Sequence, residues 1–135
     1  MIVVDTNVIG YLFLSSKRTD QAEQALVKDH HWVAPPLWRS ELCNVLATCT
    51  NRSLINLEDA ILIISEAEQL MKDSEYEVAS EKIIRLATQS GCSAYDCEFV
   101  ALAMDLNAPL VTVDKKILAK FPDVAISLDK FVSKQ

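Results

Sequence analysis

Apolar and polar positions alternate along the chain in blocks that switch between strand and helix periods. Residues 1–4, with Ile2, Val3 and Val4 in a row, read as a buried strand. A helix is expected from about Val8 to Ser15. "TDQAEQALVKD" reads as a second helix, with Asp20 and Glu23 at capping-box spacing. "HWVA" at 31–34 is a short strand, stopped by Pro35 and Pro36. Four helical patterns follow: "LWRSELCNVLATCT"; "NLEDAILIISEAEQLMK" with Asn56 as N-cap; "EVASEKIIRLATQS" closed by Gly91; and "SAYDCEFVALAMDLN" before Pro109. Residues 110–113 form another strand, Lys115 to Ala119 a short helix, and 124–128 a last strand.

Strands alternating with helices predict an α/β fold, a three-layer α/β/α sandwich around a mostly parallel sheet. Ligands of such sheets bind outside the carboxyl ends of the strands, where strand order reverses. Two predicted strands stop on an aspartate there, the first at Asp5 and the 110–113 strand at Asp114. If those strands are neighbours, the two carboxylates share an edge.

Length and composition narrow the class. The chain has 135 residues, half of them hydrophobic, which suits one domain spanning 1–135 with a real core. Its apolar runs fall far short of the ~20 residues a membrane span needs, and no basic leader precedes the first one, so a cytoplasmic protein is expected. Cys43, Cys49, Cys92 and Cys97 show no C-x-x-C spacing, and buried free thiols are the expectation. A net charge of −6 argues against bulk attraction to nucleic acid, unless a bound metal inverts the local charge or a basic protein is the partner.

The acidic residues each have a bland reading beside the chemical one. Asp5 and Asp114 can cap the helices that follow them, and Ser93 with Asp96 fits a capping box. Glu41 is harder to explain in that way. On a helical wheel it projects about 40° from both Leu37 and Val45, at the margin of the buried stripe. Asp96 lies similarly close to Val100 and Ala103. An unpaired carboxylate beside a core face is costly unless something positive meets it. Two carboxylates ~4 Å apart repel by ~4 kcal/mol at an effective dielectric of 20, so four in one pocket call for protons or a cation. Oxygen ligands select a hard divalent ion, Mg²⁺ or Mn²⁺.

"VVDTNVIGYLF", the glutamate of "PLWRSELCNVL" and "SAYDCEFVALAMDLNAPLVTVDKKI", in that order and spacing, resemble the PIN-domain ribonucleases. Within that family the chain is most similar to the toxins of VapBC-type toxin–antitoxin systems. The resemblance covers essentially the whole chain. It implies a Rossmann-like sandwich, one or two Mg²⁺ or Mn²⁺ ions, and hydrolysis of RNA. It implies Asp5, Glu41, Asp96 and Asp114 as catalytic and metal-binding acids. Asp5 and Asp96 would then be direct ligands, with Asp114 shared, and Glu41 would bind a second ion or a metal-bound water, with Thr6, Asn7 and Thr112 as supporting polar residues. Some members carry another acid just after the last aspartate; here Lys115 and Lys116 follow it.

An antitoxin partner also follows from the resemblance. Ile61, Leu62, Ile63 and Ile64 are consecutive, and one helix face cannot bury them all, so a homodimer is expected. Trp32, Trp38 and Phe99 are expected in the core. Lys17 and Arg18 lie in a loop that could meet an RNA backbone. Two rivals remain at this level. One is a phosphoaspartyl protein of the receiver or haloacid-dehalogenase type, although the second aspartate expected two residues after the first is Asn7. The other is a PIN-like binding module without turnover.

Overall fold

The computed structural model describes residues 1–134. The strands β1 (Ile2–Val4), β2 (Trp32–Val33), β3 (Leu110–Thr112) and β4 (Ala125–Ser127) form a parallel sheet in the order β2-β1-β3-β4. β1 and β3 are therefore adjacent, with Val3 opposite Leu110 and Val4 opposite Val111. The central strands are apolar without alternation because both faces of the sheet are covered. Val3, Val4, Leu110 and Val111 are fully buried.

The helices are α1 (Thr6–Phe13), α2 (Thr19–Lys28), α3 (Leu37–Asn51), α4 (Leu57–Leu70), α5 (Ser80–Ser90), α6 (Ala94–Leu106), α7 (Lys115–Lys120) and α8 (Leu128–Ser133). From β1 the chain crosses to β2 through α1 and α2, then back past β1 to β3 through α3 to α6. Right-handed crossovers in opposite directions place α1 and α2 on one face and α6 on the other. Accordingly α1, α2 and α8 pack together on one side, while α6 lies against β1 and β3 with α5 behind it. α3 and α4 pack as a pair against α1. This is the expected sandwich, and the reversal of direction puts its switch point at the carboxyl ends of β1 and β3.

Several local expectations change. α1 begins at Thr6 and ends at Phe13, two residues earlier than expected at each end. Asp20 and Glu23 do not form a capping box. α2 starts at Thr19 with Arg18 at its N-cap, two residues before Asp20 could cap it, and the Thr19 hydroxyl bonds the Leu14 carbonyl and the Ser16 amide. α5 starts at Ser80 rather than 77. The last strand is followed by a helix the pattern did not suggest, α8, which Ser127 caps by accepting from the Lys130 amide at 3.1 Å.

Other expectations hold. Asn56 caps α4 through the Asp59 amide at 2.8 Å, and Gly91 closes α5 in the left-handed conformation with φ 78°. Trp32, Trp38 and Phe99 are buried, and Trp38 donates its indole N–H to Glu75 at 2.6 Å. Cys92 and Cys97 are buried free thiols, Cys49 is half-buried, and Cys43 departs from expectation by lying exposed on α3. Among the described residues, no helix is long and apolar enough to cross a membrane.

Candidate functional site

Asp5 is the residue at which β1 becomes α1. Its amide still bonds the Val111 carbonyl of β3 at 3.1 Å, and its carbonyl already accepts from Val8. It occupies the N-cap position, yet its carboxylate makes no capping bond. Instead Oδ2 accepts a 2.6 Å hydrogen bond from the Thr112 hydroxyl, 107 residues away. That hydroxyl is completely buried and in turn accepts from the Asp114 amide at 3.0 Å. Its single proton is thereby committed to Asp5, which fixes the direction of the bond.

A second threonine–carboxylate pair stands beside the first. Thr6, buried in the first turn of α1, donates to Glu41 Oε1 on α3 at 2.7 Å. Glu41 is half-buried, as its place at the margin of the apolar stripe implies. A buried hydroxyl aimed at each carboxylate holds it in one orientation, and neither hydroxyl carries a charge that would neutralise it.

Asp96 and Asp114 are tied more conventionally. The Asp96 amide donates to the capping Ser93 hydroxyl at 3.0 Å. Asp114 does cap α7, accepting from the Ile117 amide at 2.9 Å. The helix-cap reading is thus realised for Asp114 and not for Asp5. Asn7 is exposed, and its side chain makes no hydrogen bond among the described residues.

The carboxyls sense one another. Burial pushes Asp5 above the ordinary aspartate range, opposed by the Thr112 bond and the nearby Asn7 amide, and the charges of Asp96 and Asp114 add to the rise. Burial likewise raises Glu41, opposed by Thr6 and reinforced by Asp5, Asp96 and Glu98. Asp96 is raised by burial and by Asp114, with Ser93 and Lys116 opposing. Glu98 is itself raised by burial. It belongs to this edge although sequence reasoning overlooked it. The signal was available: Glu98 is the one charged residue in the apolar run Cys97–Ala103.

This donor set is entirely oxygen and suits a hard divalent ion. Among the described residues no three His, Cys, Asp or Glu side chains approach closely enough to hold an ion jointly. The acids expected in one pocket therefore share an edge without closing a ligand cage. That spacing fits Mg²⁺-type binding, in which one or two carboxylates hold an ion that keeps most of its water.

Residues 2–125 match the sequence model of the PIN domain. The chain belongs to the PIN domain family. A PIN-domain fold agrees with the crystal structure of PAE2754 from Pyrobaculum aerophilum, which superposes with a TM-score of 0.79 over 98% of this chain and 94% of that one. At 19% identity that likeness speaks for the fold alone. Ribonuclease VapC3 of Pyrobaculum aerophilum is 28% identical over 124 residues, covering 90% of this PIN-domain chain and 95% of that protein.

Proposed function

We propose that this chain is a metal-dependent endoribonuclease that hydrolyses RNA phosphodiester bonds at the acidic edge of its sheet, as the toxin of a toxin–antitoxin pair in the cytoplasm. The observation that carries the reading is the state of Asp5. It is a largely buried carboxylate that makes no side-chain cap bond, is oriented by a buried hydroxyl and is set among further acids that raise its proton affinity. Such an arrangement is costly without a cation, so it makes sense as a cation site. The likeness to Ribonuclease VapC3 supports the substrate class.

In this reading Asp5 and Asp96 hold a Mg²⁺ or Mn²⁺ ion directly, Asp114 shares it through its water, and Glu41 serves a second ion or a metal-bound water. A divalent ion there supplies a more acidic water and offsets charge on the phosphate. Thr112 and Thr6 keep Asp5 and Glu41 from rotating away. Asn7, exposed in the first turn of α1, is free to meet a water or a phosphate oxygen. Membership in the PIN family sets aside the phosphoaspartyl alternative.

The deciding experiment is digestion of total cellular RNA with Mn²⁺ or Mg²⁺, with EDTA, and with a folded Asp5→Asn control. Cleavage that needs both metal and Asp5 is expected. Metal binding without cleavage in any condition would favour the binding-module reading.

The partner surface belongs to the α3–α4 pair. Leu54, Leu57, Ile61 and Leu62 are all exposed there, and an apolar groove between the helices is lined by Leu46, Leu57, Ile61 and Ile64. This is where the reading places homodimer or antitoxin contact. Light scattering at micromolar concentration should give a dimer, and Ile61→Glu should weaken it; a wild-type monomer would remove the dimer from the proposal.

A further inference from the structure

The sheet has two edges, and the chain treats them differently. At β2 the loop after α4 closes the edge. The Ala34 amide donates to the Ser74 carbonyl at 3.1 Å, and the Ala34 carbonyl accepts from the Tyr76 amide at 3.2 Å. Trp32 and Val33 are buried beneath it. At β4 no segment plays that part among the described residues, and Ala125, Ile126 and Ser127 are only half-buried.

The register of β4 decides which of its main-chain groups are left over. The Leu110 amide donates to the Val124 carbonyl at 2.9 Å, so Val124 and Ile126 turn their peptide groups to β3. Ala125 and Ser127 turn theirs outward. The Ala125 amide is taken by the Phe121 carbonyl at 2.8 Å, and the Ser127 carbonyl opens α8 as its N-cap. One carbonyl, at Ala125, and one amide, at Ser127, therefore face the open side.

This edge is the floor of a groove of about 810 Å³. The crossover from β3 to β4 continues the direction taken from β1 to β3, which puts α7 on the face of α6. α8 packs on α2, on the other face, so the two helices wall the groove. Leu118 of α7 and Phe131 of α8 give each wall a half-buried apolar side chain. Lys28, Lys130 and Lys134 line the groove, with Asp123 as its one acid. The Lys28 ammonium donates to the Phe131 and Lys134 carbonyls and lies 4.8 Å from the centre of the Phe131 ring, which fixes the end of α8. Lys130 and Lys134 are exposed, and their ammonium groups have no hydrogen bond or ion pair among the described residues. The groove is thus positive on a chain of net charge −6.

We propose that the β4 edge docks an extended, acidic peptide segment of a partner protein, which adds a strand beside β4 and sets its carboxylates among Lys28, Lys130 and Lys134. Strand addition takes its affinity from the main-chain groups of an open edge and its selectivity from the side chains around it. The charge separates this surface from the acidic edge at the ends of β1 and β3, which repels the same segment. A nucleic acid would meet the lysines but has no repeating amide and carbonyl to match Ala125 and Ser127. The competing role is protective, with the lysines only guarding an open edge against a second copy of the chain.

The test is fluorescence anisotropy of the full chain with a labelled decapeptide of alternating glutamate and valine, beside its lysine–valine counterpart and a labelled RNA strand. Wild type should prefer the acidic peptide. Lys130→Glu combined with Lys134→Glu should weaken that binding about tenfold. Ser127→Pro deletes the outward amide at a residue whose φ of −68° already suits proline, and should weaken binding about fivefold. Ser127→Ala loses the α8 cap but keeps the amide, and should bind as wild type does. A fully N-methylated acidic peptide lacks the donor for the Ala125 carbonyl and should lose binding to the unaltered protein, which keeps the test if Ser127→Pro does not fold.

Equal binding of the acidic and basic peptides, or an unchanged affinity in the double lysine variant, would overturn the assignment of an acidic partner. Normal binding of the N-methylated peptide would overturn strand addition. Binding of the RNA in place of the acidic peptide would make the groove a nucleic-acid surface and overturn the proposal. Binding of neither peptide would also overturn it, and self-association of the double lysine variant in light scattering would then identify the lysines as guards of the edge.

Discussion

The β1–α1 and β3–α7 junctions are built to the same plan, yet their aspartates are used differently. In each, an apolar strand ends on an aspartate in the N-cap position and a helix begins at the next residue. Asp114 spends its carboxylate on the Ile117 amide. Asp5 leaves its helix start without a side-chain cap and points its carboxylate to Thr112 across the sheet. A helix start that forgoes its cap gives up about 1 kcal/mol of local stability. The lesson is that a capping residue becomes a functional candidate when its carboxylate is found facing elsewhere. Thr112 joins the two junctions, since its hydroxyl bonds Asp5 on one side and the Asp114 amide on the other.

Each side of this contrast can be broken separately. The largest effect is expected from Asp5→Asn, which should cut metal-dependent RNA cleavage by about a thousandfold or more, given several kcal/mol of charge stabilisation lost. Its thermal stability should hold or rise, because the variant removes a buried charge while leaving a side chain of the same shape; circular dichroism melts would check this. Thr112→Val comes next. Losing the donor to Asp5 should lower metal affinity or activity about 10- to 100-fold, read by metal titration and by kcat/KM.

Asp114 should divide into two roles under two substitutions. Asp114→Asn keeps a capping acceptor and should lose activity with little change in Tm. Asp114→Ala should lose activity and also about 1 kcal/mol of stability, seen in denaturant unfolding. Asp5→Ala leaves no capped amide unpaired but orphans the buried Thr112 hydroxyl, so its loss of stability should come from that donor and not from the helix start.

The smallest effect concerns pH. Asp5, Glu41 and Asp96 all have carboxyls raised above their ordinary values of 3.8, 4.5 and 3.8. Between those values and the raised ones the folded state binds more protons than the unfolded chain, so stability falls as pH rises through that window. Metal-free protein should therefore melt higher when acidified modestly from neutral pH. Mn²⁺ should reverse the trend, because it competes with protons for the same oxygens. Melting curves with and without metal across pH 4 to 8 would show it.

Fold class was legible from the sequence because it rests on strong local signals, whereas the four candidate acids stood out only through the order and spacing of their motifs. β1 and β3 are short unbroken apolar runs, and Pro109 and Gly91 punctuate the helices around them. The misreadings occur where two local rules compete. "VAISLDKFVSK" begins as a strand and turns helical at Leu128, because Ser127 supplies a cap that the apolar alternation obscures. At α2 the contacts of the Thr19 hydroxyl to Leu14 and Ser16 draw the helix start ahead of Asp20 and Glu23, which then lie inside the helix. Within the site, the Thr6–Glu41 and Thr112–Asp5 bonds span 35 and 107 residues. No local pattern encodes such pairings, since they exist only once the sheet order is set. Glu98 was legible as a lone charge in an apolar run, and only tertiary placement showed which edge it joins.

The bond between Thr112 and Asp5 also sets a timetable. β1 is made first and β3 among the last elements, so β1 has β2 as its only possible sheet partner until residues near 110 leave the ribosome. At about 5 to 20 residues per second, a growing chain spends several seconds with Asp5 exposed at a raw sheet edge and without its hydroxyl donor. Such long-range closure is slow relative to local helix formation. Translation that stops short of β3 would leave the orienting group of Asp5 unmade, and an incomplete product would lack the assembled acid edge on which the proposed activity depends.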